Sequence, residues 1–186
     1  MGILIDNMNE NSNSNRRSKR RKSYKNNNTE RELKESMDEK SKKEYLEEYL
    51  GVDVTESGYD ENVFETDDGE EWLVVDEDEA DEKVRDYIED SIWAFRPNFI
   101  LKHMRGYDDI PMEDEEDIEE AIETVQEKLS ERANPLILAI IEDFDEFVED
   151  AVDADGRGYF ISSYDGDEVE LADDKGYIQF YAYRQN

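Results

Sequence analysis

Apolar positions recur along this chain in two periods, and each switch of period marks a new element. Tyr45, Leu46, Tyr49 and Leu50 repeat at helical spacing, behind capping-box pairs at Thr29/Glu32 and Ser41/Glu44. They predict helix over 30–50, as one piece or two, and Gly51 stops it. The period then becomes two. Val63-Phe64-Glu65-Thr66 and Trp72-Leu73-Val74-Val75 flank Asp67-Asp68-Gly69, a strong hairpin signal. Asp76 then caps a long helix whose Ala80, Val84, Tyr87, Ile88, Ile92 and Phe95 share one stripe. Pro97 breaks or kinks it, and Phe99-Ile100-Leu101 carry helical or irregular chain to Gly106.

A third helix is predicted over about 113–132, with Ile118, Ala121, Ile122, Val125 and Leu129 facing inward. Asn134 and Pro135 supply an N-cap and first turn for a fourth, whose Leu136, Ile137, Ile140, Ile141, Phe144, Phe147 and Val148 mark it as central. Beyond Asp155 the pattern reads as strands: Tyr159-Phe160-Ile161, Val169-Glu170-Leu171, and Tyr177 to Arg184. In the last of these, Ile178, Phe180 and Ala182 give a core face, while Tyr177, Gln179, Tyr181 and Tyr183 give an aromatic face open to solvent or a partner. The expected fold is α+β: three to four helices packed on a small, largely antiparallel sheet. The expected organisation is a disordered Asn/Ser-rich and basic tail over 1–29, a helical connector over 30–51 and an acidic α+β domain over 52–186.

Charge sharpens that division. The 186 residues carry a formal charge of -32. Residues 1–43 hold 12 Lys+Arg against 7 Asp+Glu, a net of +5, whereas 44–186 hold 10 against 47, a net of -37. Self-repulsion on that scale keeps a protein soluble and works against its compact state. Cysteine is absent, which removes disulfides, thiolate catalysis and thiolate metal sites. The longest apolar run, Leu136 to Ile141, is far short of the roughly 18 residues of a membrane span, so no membrane association is expected. Ile3-Leu4-Ile5 is too short for a signal-peptide core, and Asp6 stands where a myristoylation signal needs Ser or Thr.

Candidate chemistry is thin. The single histidine, His103, reads as a surface residue at a helix end, and no nucleophile-elbow pattern surrounds Ser162-Ser163. Asp153-Ala154-Asp155-Gly156 resembles the middle of a calcium loop. In that register Ala151 and Ser162 fall where the first and last carboxylates belong. Asp81-Glu82-Lys83 has a nuclease-like form but lies on a helix, and Asp173-Asp174-Lys175 has no upstream partner. Gly156-Arg157-Gly158 is too short for a phosphate loop. The expectation is a protein that is not an enzyme, with no metal site and no cofactor.

The acid clusters carry more. Six acids fall within Asp76 to Glu82 and eight within Glu113 to Glu123. Carboxylates three and four apart on a helix stand about 5–6 Å from each other. That spacing is comparable with the phosphates of a nucleic-acid strand, which recur at about 3.4 Å of axial rise. The candidate partner-binding acids are Asp76, Glu77, Asp78, Glu79, Glu113, Asp114, Glu116, Asp117 and Glu120, facing a basic nucleic-acid-binding protein. The tail residues Arg16, Arg17, Lys19, Arg20, Arg21 and Lys22 have three readings: nucleic acid, an acidic partner, or the chain's own acidic body. Because the body repels nucleic acid, direct binding to DNA or RNA is expected only weakly, through this tail.

The stretch Asp155-Gly156-Arg157-Gly158-Tyr159-Phe160-Ile161-Ser162-Ser163-Tyr164-Asp165-Gly166, followed by Glu168 and Glu170, and the end Tyr181-Ala182-Tyr183-Arg184-Gln185-Asn186 resemble the C-terminal part of a group of small tailed-phage proteins. Their shared pattern is DGRG-x-x-x-SSYDG with a Tyr-x-Tyr-Arg-x-Asn-like finish. Members often carry His after DGRG, where this chain has Tyr159. The resemblance covers about thirty residues and brings no activity with it. It implies a phage product in the bacterial host cytoplasm and gives weight to antagonism of host defence. Arg157, Tyr164 and Asp165 are the motif residues whose role is open, with Arg157 expected to pair with nearby carboxylates. The leading expectation is a non-enzymatic acidic phage protein that binds a basic host protein, as a nucleic-acid mimic antagonising host defence. The second reading is a phage structural or assembly protein, carried in the virion, with a basic docking tail.

Overall fold

The hairpin at the centre of the sequence is also the centre of the fold. In the computed structural model, which describes residues 40–58 and 60–186, β2 (Val63–Thr66) and β3 (Glu71–Val75) pair antiparallel across the Asp67-Asp68-Gly69 turn. Gly69 takes a φ of +84° there, a conformation that glycine adopts without steric cost. β1 (Val54–Glu56) adds to the free side of β2. β5 (Ile178–Arg184) adds to β3, and β4 (Val169–Ala172) closes the other edge. The sheet order is β1-β2-β3-β5-β4, every pair antiparallel.

All the chain between β3 and β4 is helices and turns. Asp76 caps α2 (Glu77–Ser91) by accepting from the Glu79 N–H, and the Glu79 side chain returns to the Asp76 N–H, a full capping box. A 3-10 turn follows α2, and then Pro97 opens α3 (Pro97–Lys102) in the first-turn position where its missing N–H costs nothing. α4 (Glu115–Leu129), α5 (Asn134–Ile140), α6 (Phe144–Asp155) and α7 (Arg157–Ile161) complete this layer. Their apolar sides meet Val63, Leu73, Val75, Tyr181 and Tyr183 on one face of the sheet in the main core. α1 (Lys42–Leu50) covers the opposite face, where Tyr45 and Leu46 pack on Phe64, Trp72, Val74 and Ala182. The architecture is therefore α+β in three layers, and residues from Lys42 to Asn186 form one unit.

Several expectations need correction. Tyr159-Phe160-Ile161 is not a strand. It lies in α7, with Phe160 and Ile161 buried against the main core. The fourth helix is two helices: Ile141 leaves α5 extended and bridges Met104, and Asp143 caps α6 through the N–H groups of Asp145 and Glu146. Asn134 is helical and not an N-cap. Its side chain instead accepts from the Trp93 N–H and donates to the Asp90 carbonyl. Ala121 faces solvent. The aromatic side of β5 is not open: Tyr181 and Tyr183 are buried in the main core, while Ala182 and Phe180 on the other side pack under α1. The basic stretch Arg16 to Lys22 and the Thr29/Glu32 pair lie outside the described residues.

Candidate functional site

The C-terminal motif converges on one cluster. α7 is short and glycine-framed: Gly156, at φ +81°, ends α6, and Gly158 lies against the backbone of 166–168. A Cβ on Gly158 would meet the Gly166 carbonyl oxygen at 2.3 Å and the Glu168 nitrogen at 2.9 Å, so only glycine lets helix and loop approach this closely. That approach delivers Arg157 to Glu168, with Nη2 to Oε1 at 2.9 Å and Nε to Oε2 at 2.8 Å. The same guanidinium reaches Asp81 on α2 at 3.2 Å and lies 4.1 Å from the centroid of the Tyr181 ring. The second Glu168 oxygen accepts from the buried Tyr183 hydroxyl at 2.5 Å.

The electrostatics follow from this packing. Burial works against the Arg157 charge, but hydrogen bonds to Glu168 and Tyr181 outweigh it and hold the guanidinium above arginine's usual range. Burial, then the bond to Glu168 and its charge, push the Tyr183 hydroxyl above the ordinary phenol range, so it remains a donor. The second half of the motif is equally occupied. The Ser162 hydroxyl donates to the Arg184 carbonyl at 2.8 Å and lies 2.8 Å from an Asp165 carboxylate oxygen. The N–H of Asp167 holds the Asp165 carboxyl below its ordinary range. The Tyr164 ring lies 4.0 Å under the Arg184 guanidinium, which also pairs with Glu70 at 2.7 Å. Asn186 accepts from the Glu71 N–H and donates to the Gly69 carbonyl. Arg157 and Asp165 thus have their partners within the fold, and the chain's end is tied to the central hairpin.

The acidic residues divide into two groups. Asp76 and Glu79 are engaged by the capping box, and Glu79 also pairs with Lys42 at 2.7 Å, leaving Glu77 and Asp78 displayed on that turn. Glu113, Asp114, Glu116, Asp117 and Glu120 are all exposed, before and along α4. The acids from 113 to 127 make no ion pair among the described residues, and Glu115 has only the Tyr107 hydroxyl at 3.5 Å. The two acid runs are anchored beside different elements, α1 for the first and the Tyr107 turn for the second.

His103 is nearly buried, not a surface residue. Its Nδ1 donates to the Phe99 carbonyl at 3.0 Å, Nε2 stands 3.1 Å from Asp150, and its ring packs on Phe99 and Phe147. Ser162 and Ser163 are bonded to β5 and its C-terminal extension. Among the described residues no three His, Asp or Glu side chains are placed to hold a metal ion, and no helix is long and apolar enough to cross a membrane. One feature lay outside the sequence reading. Tyr87, placed there on a core stripe, is half exposed, and it joins the exposed Tyr159 at the mouth of a groove of about 390 Å³ floored by Phe160. Reading Tyr159 as part of a strand separated it from Tyr87.

Comparison with family models, with curated proteins and with solved structures found no match to this chain.

Proposed function

We propose that this chain is a non-enzymatic acidic binding protein whose α4 face occupies the basic surface of a nucleic-acid-binding protein. The observation that carries the reading is the unneutralised row on α4. Glu120 has Glu116, Asp117 and Glu123 as its three- and four-residue neighbours, and among the described residues no cation pairs with any of them. Each like-charge neighbour costs a helix about 0.2–0.5 kcal/mol. The acids of the first turn recover part of that cost from the helix dipole, but Glu120, Glu123 and Glu127 sit beyond it. A row kept at a cost, with the apolar side of the same helix intact behind it, suits a surface displayed to a cationic partner.

The likeness of the C-terminal segment to tailed-phage proteins supports a phage source, a partner in the bacterial host cytoplasm, and antagonism of host defence as the task. The test is affinity capture from bacterial lysate at moderate salt, using the native chain and an E116K/E120K/E123K variant. The native chain should retain a basic protein that added duplex DNA releases, and the variant should not. Equal capture by both chains, or retention unaffected by DNA, would refute the proposal.

A further inference from the structure

We infer that the groove between α2, α6 and α7 is an aromatic cage for an arginine side chain presented by the basic partner, an inference that rests on the reading above. Its walls are Tyr87, half exposed, and Tyr159, 62% exposed, with buried Phe160 between them at ring-centroid distances of 6.0 and 5.2 Å. The Tyr159 ring stands at 90° to Phe160, so wall and floor are perpendicular. Ring faces attract cations, and a planar guanidinium lies flat on them with its donors directed outward.

The charge around the groove points the same way. α6 ends on the lining at Asp155, and α2 ends there at Ser91. A helix C-terminus carries about half a negative charge and favours cations in its last turn. Neither helix has a basic residue there. α2 carries Glu89 and Asp90 and α6 carries Asp153 and Asp155 in their last turns, and of these carboxylates Asp155 stands on the lining of the aromatic-walled space. Asp155 makes no ion pair among the described residues. The volume, about 390 Å³, falls at the small end of ligand pockets and suits one side chain with its backbone. Among the described residues Arg96 is the single cation on the lining, and it makes no ion pair there. In this account it repels the incoming guanidinium, which fixes the sign of its substitution.

The experiment is an NMR titration of the full chain with the blocked peptide acetyl-Gly-Arg-Gly-amide at constant ionic strength. Saturable shifts should centre on Tyr87, Tyr159 and Phe160. Y159A should weaken binding by roughly five- to tenfold, within the range of a cation–π contact. D155N should weaken it by about threefold, and R96Q should strengthen it. Shifts spread evenly over all acidic helices and unmoved by Y159A would overturn the cage. So would weaker binding by R96Q, which would mark the groove as an anion site. Because the peptide assay needs no partner protein, it separates the two proposals. Cage binding that survives while E116K/E120K/E123K captures as well as the native chain removes the α4 role alone, and the converse removes the cage alone.

Discussion

Gly158→Ala places one methyl group where the fold has no room for it. The added Cβ would stand 2.3 Å from the Gly166 oxygen, 2.7 Å from the Asp167 carbonyl carbon and 2.9 Å from the Glu168 nitrogen, all backbone atoms. Ordinary contact begins near 3.4 Å, so α7 and the loop must separate by about 1 Å. A flexible side chain could swing aside, but this loop cannot, since Ser162 and Asp165 bond it in place. Overpacking of this kind costs about 1–3 kcal/mol. The movement also draws Glu168 away from Arg157 and Tyr183, so the upper end, about 3 kcal/mol, is expected. At about 2–4 °C per kcal/mol the melting temperature should fall by about 6–12 °C. Gly156→Ala is the companion measurement. It meets no atom within 4 Å, so its cost is backbone strain alone, about 1–3 kcal/mol at φ +81° and ψ 153°, a region essentially confined to glycine. Urea unfolding of both variants gives the comparison. A Gly158→Ala loss below about 0.5 kcal/mol would refute the close-approach argument.

Three further outcomes follow from the same contacts. E168A leaves the Tyr183 hydroxyl buried without its acceptor and removes Arg157's nearest carboxylate, so urea unfolding should show a loss of about 3 kcal/mol. S130G should stabilise by about 1 kcal/mol, because Ser130 holds φ +49° at the end of α4, where glycine fits without strain; an unchanged midpoint would contradict this. D165N should cost stability at neutral pH. The native Asp165 carboxyl is held below its ordinary 3.8, so its contribution is complete above that value and is lost as pH falls through the lower folded value. Native and D165N unfolding curves should therefore converge in acid, and a constant gap between them would contradict the assignment.

Much of the fold is legible in residue order because local signals and tertiary demands agree. The Asp67-Asp68-Gly69 hairpin and the Asp76 cap are short-range devices that form as read. α7 is the opposite case. Tyr159, Phe160 and Ile161 favour a strand locally, and the helix forms because it buries Phe160 and Ile161 and seats Gly158 on a loop eight residues further on. The break before α6 did carry a signal. Asp143 with Glu146 three residues later has the form of a capping box, but it sits inside an apolar run that reads as continuous. Alternation puts Tyr183 on a face open to solvent or a partner, but its hydroxyl finds its acceptor in Glu168, fifteen residues away. The partners of Arg157 are carboxylates, as expected, yet one of them is 76 residues distant on α2, which spacing does not encode. The cage required Tyr87 and Tyr159 to be brought together by the packing of α7 on the end of α2.

The central claim is that the acidic row on α4 is kept for a partner at the expense of the helix. Neutralising its part beyond the first turn by E120Q and E123Q together, then measuring stability at low salt and affinity for the captured basic protein on the same preparation, tests that claim directly. The account predicts opposite signs: a stability gain of about 1 kcal/mol as like-charge pairs disappear, and affinity lower by tenfold or more with a shallower salt dependence. Unchanged affinity alongside the gain in stability would mean that the row is only a solvated surface, and would contradict the account.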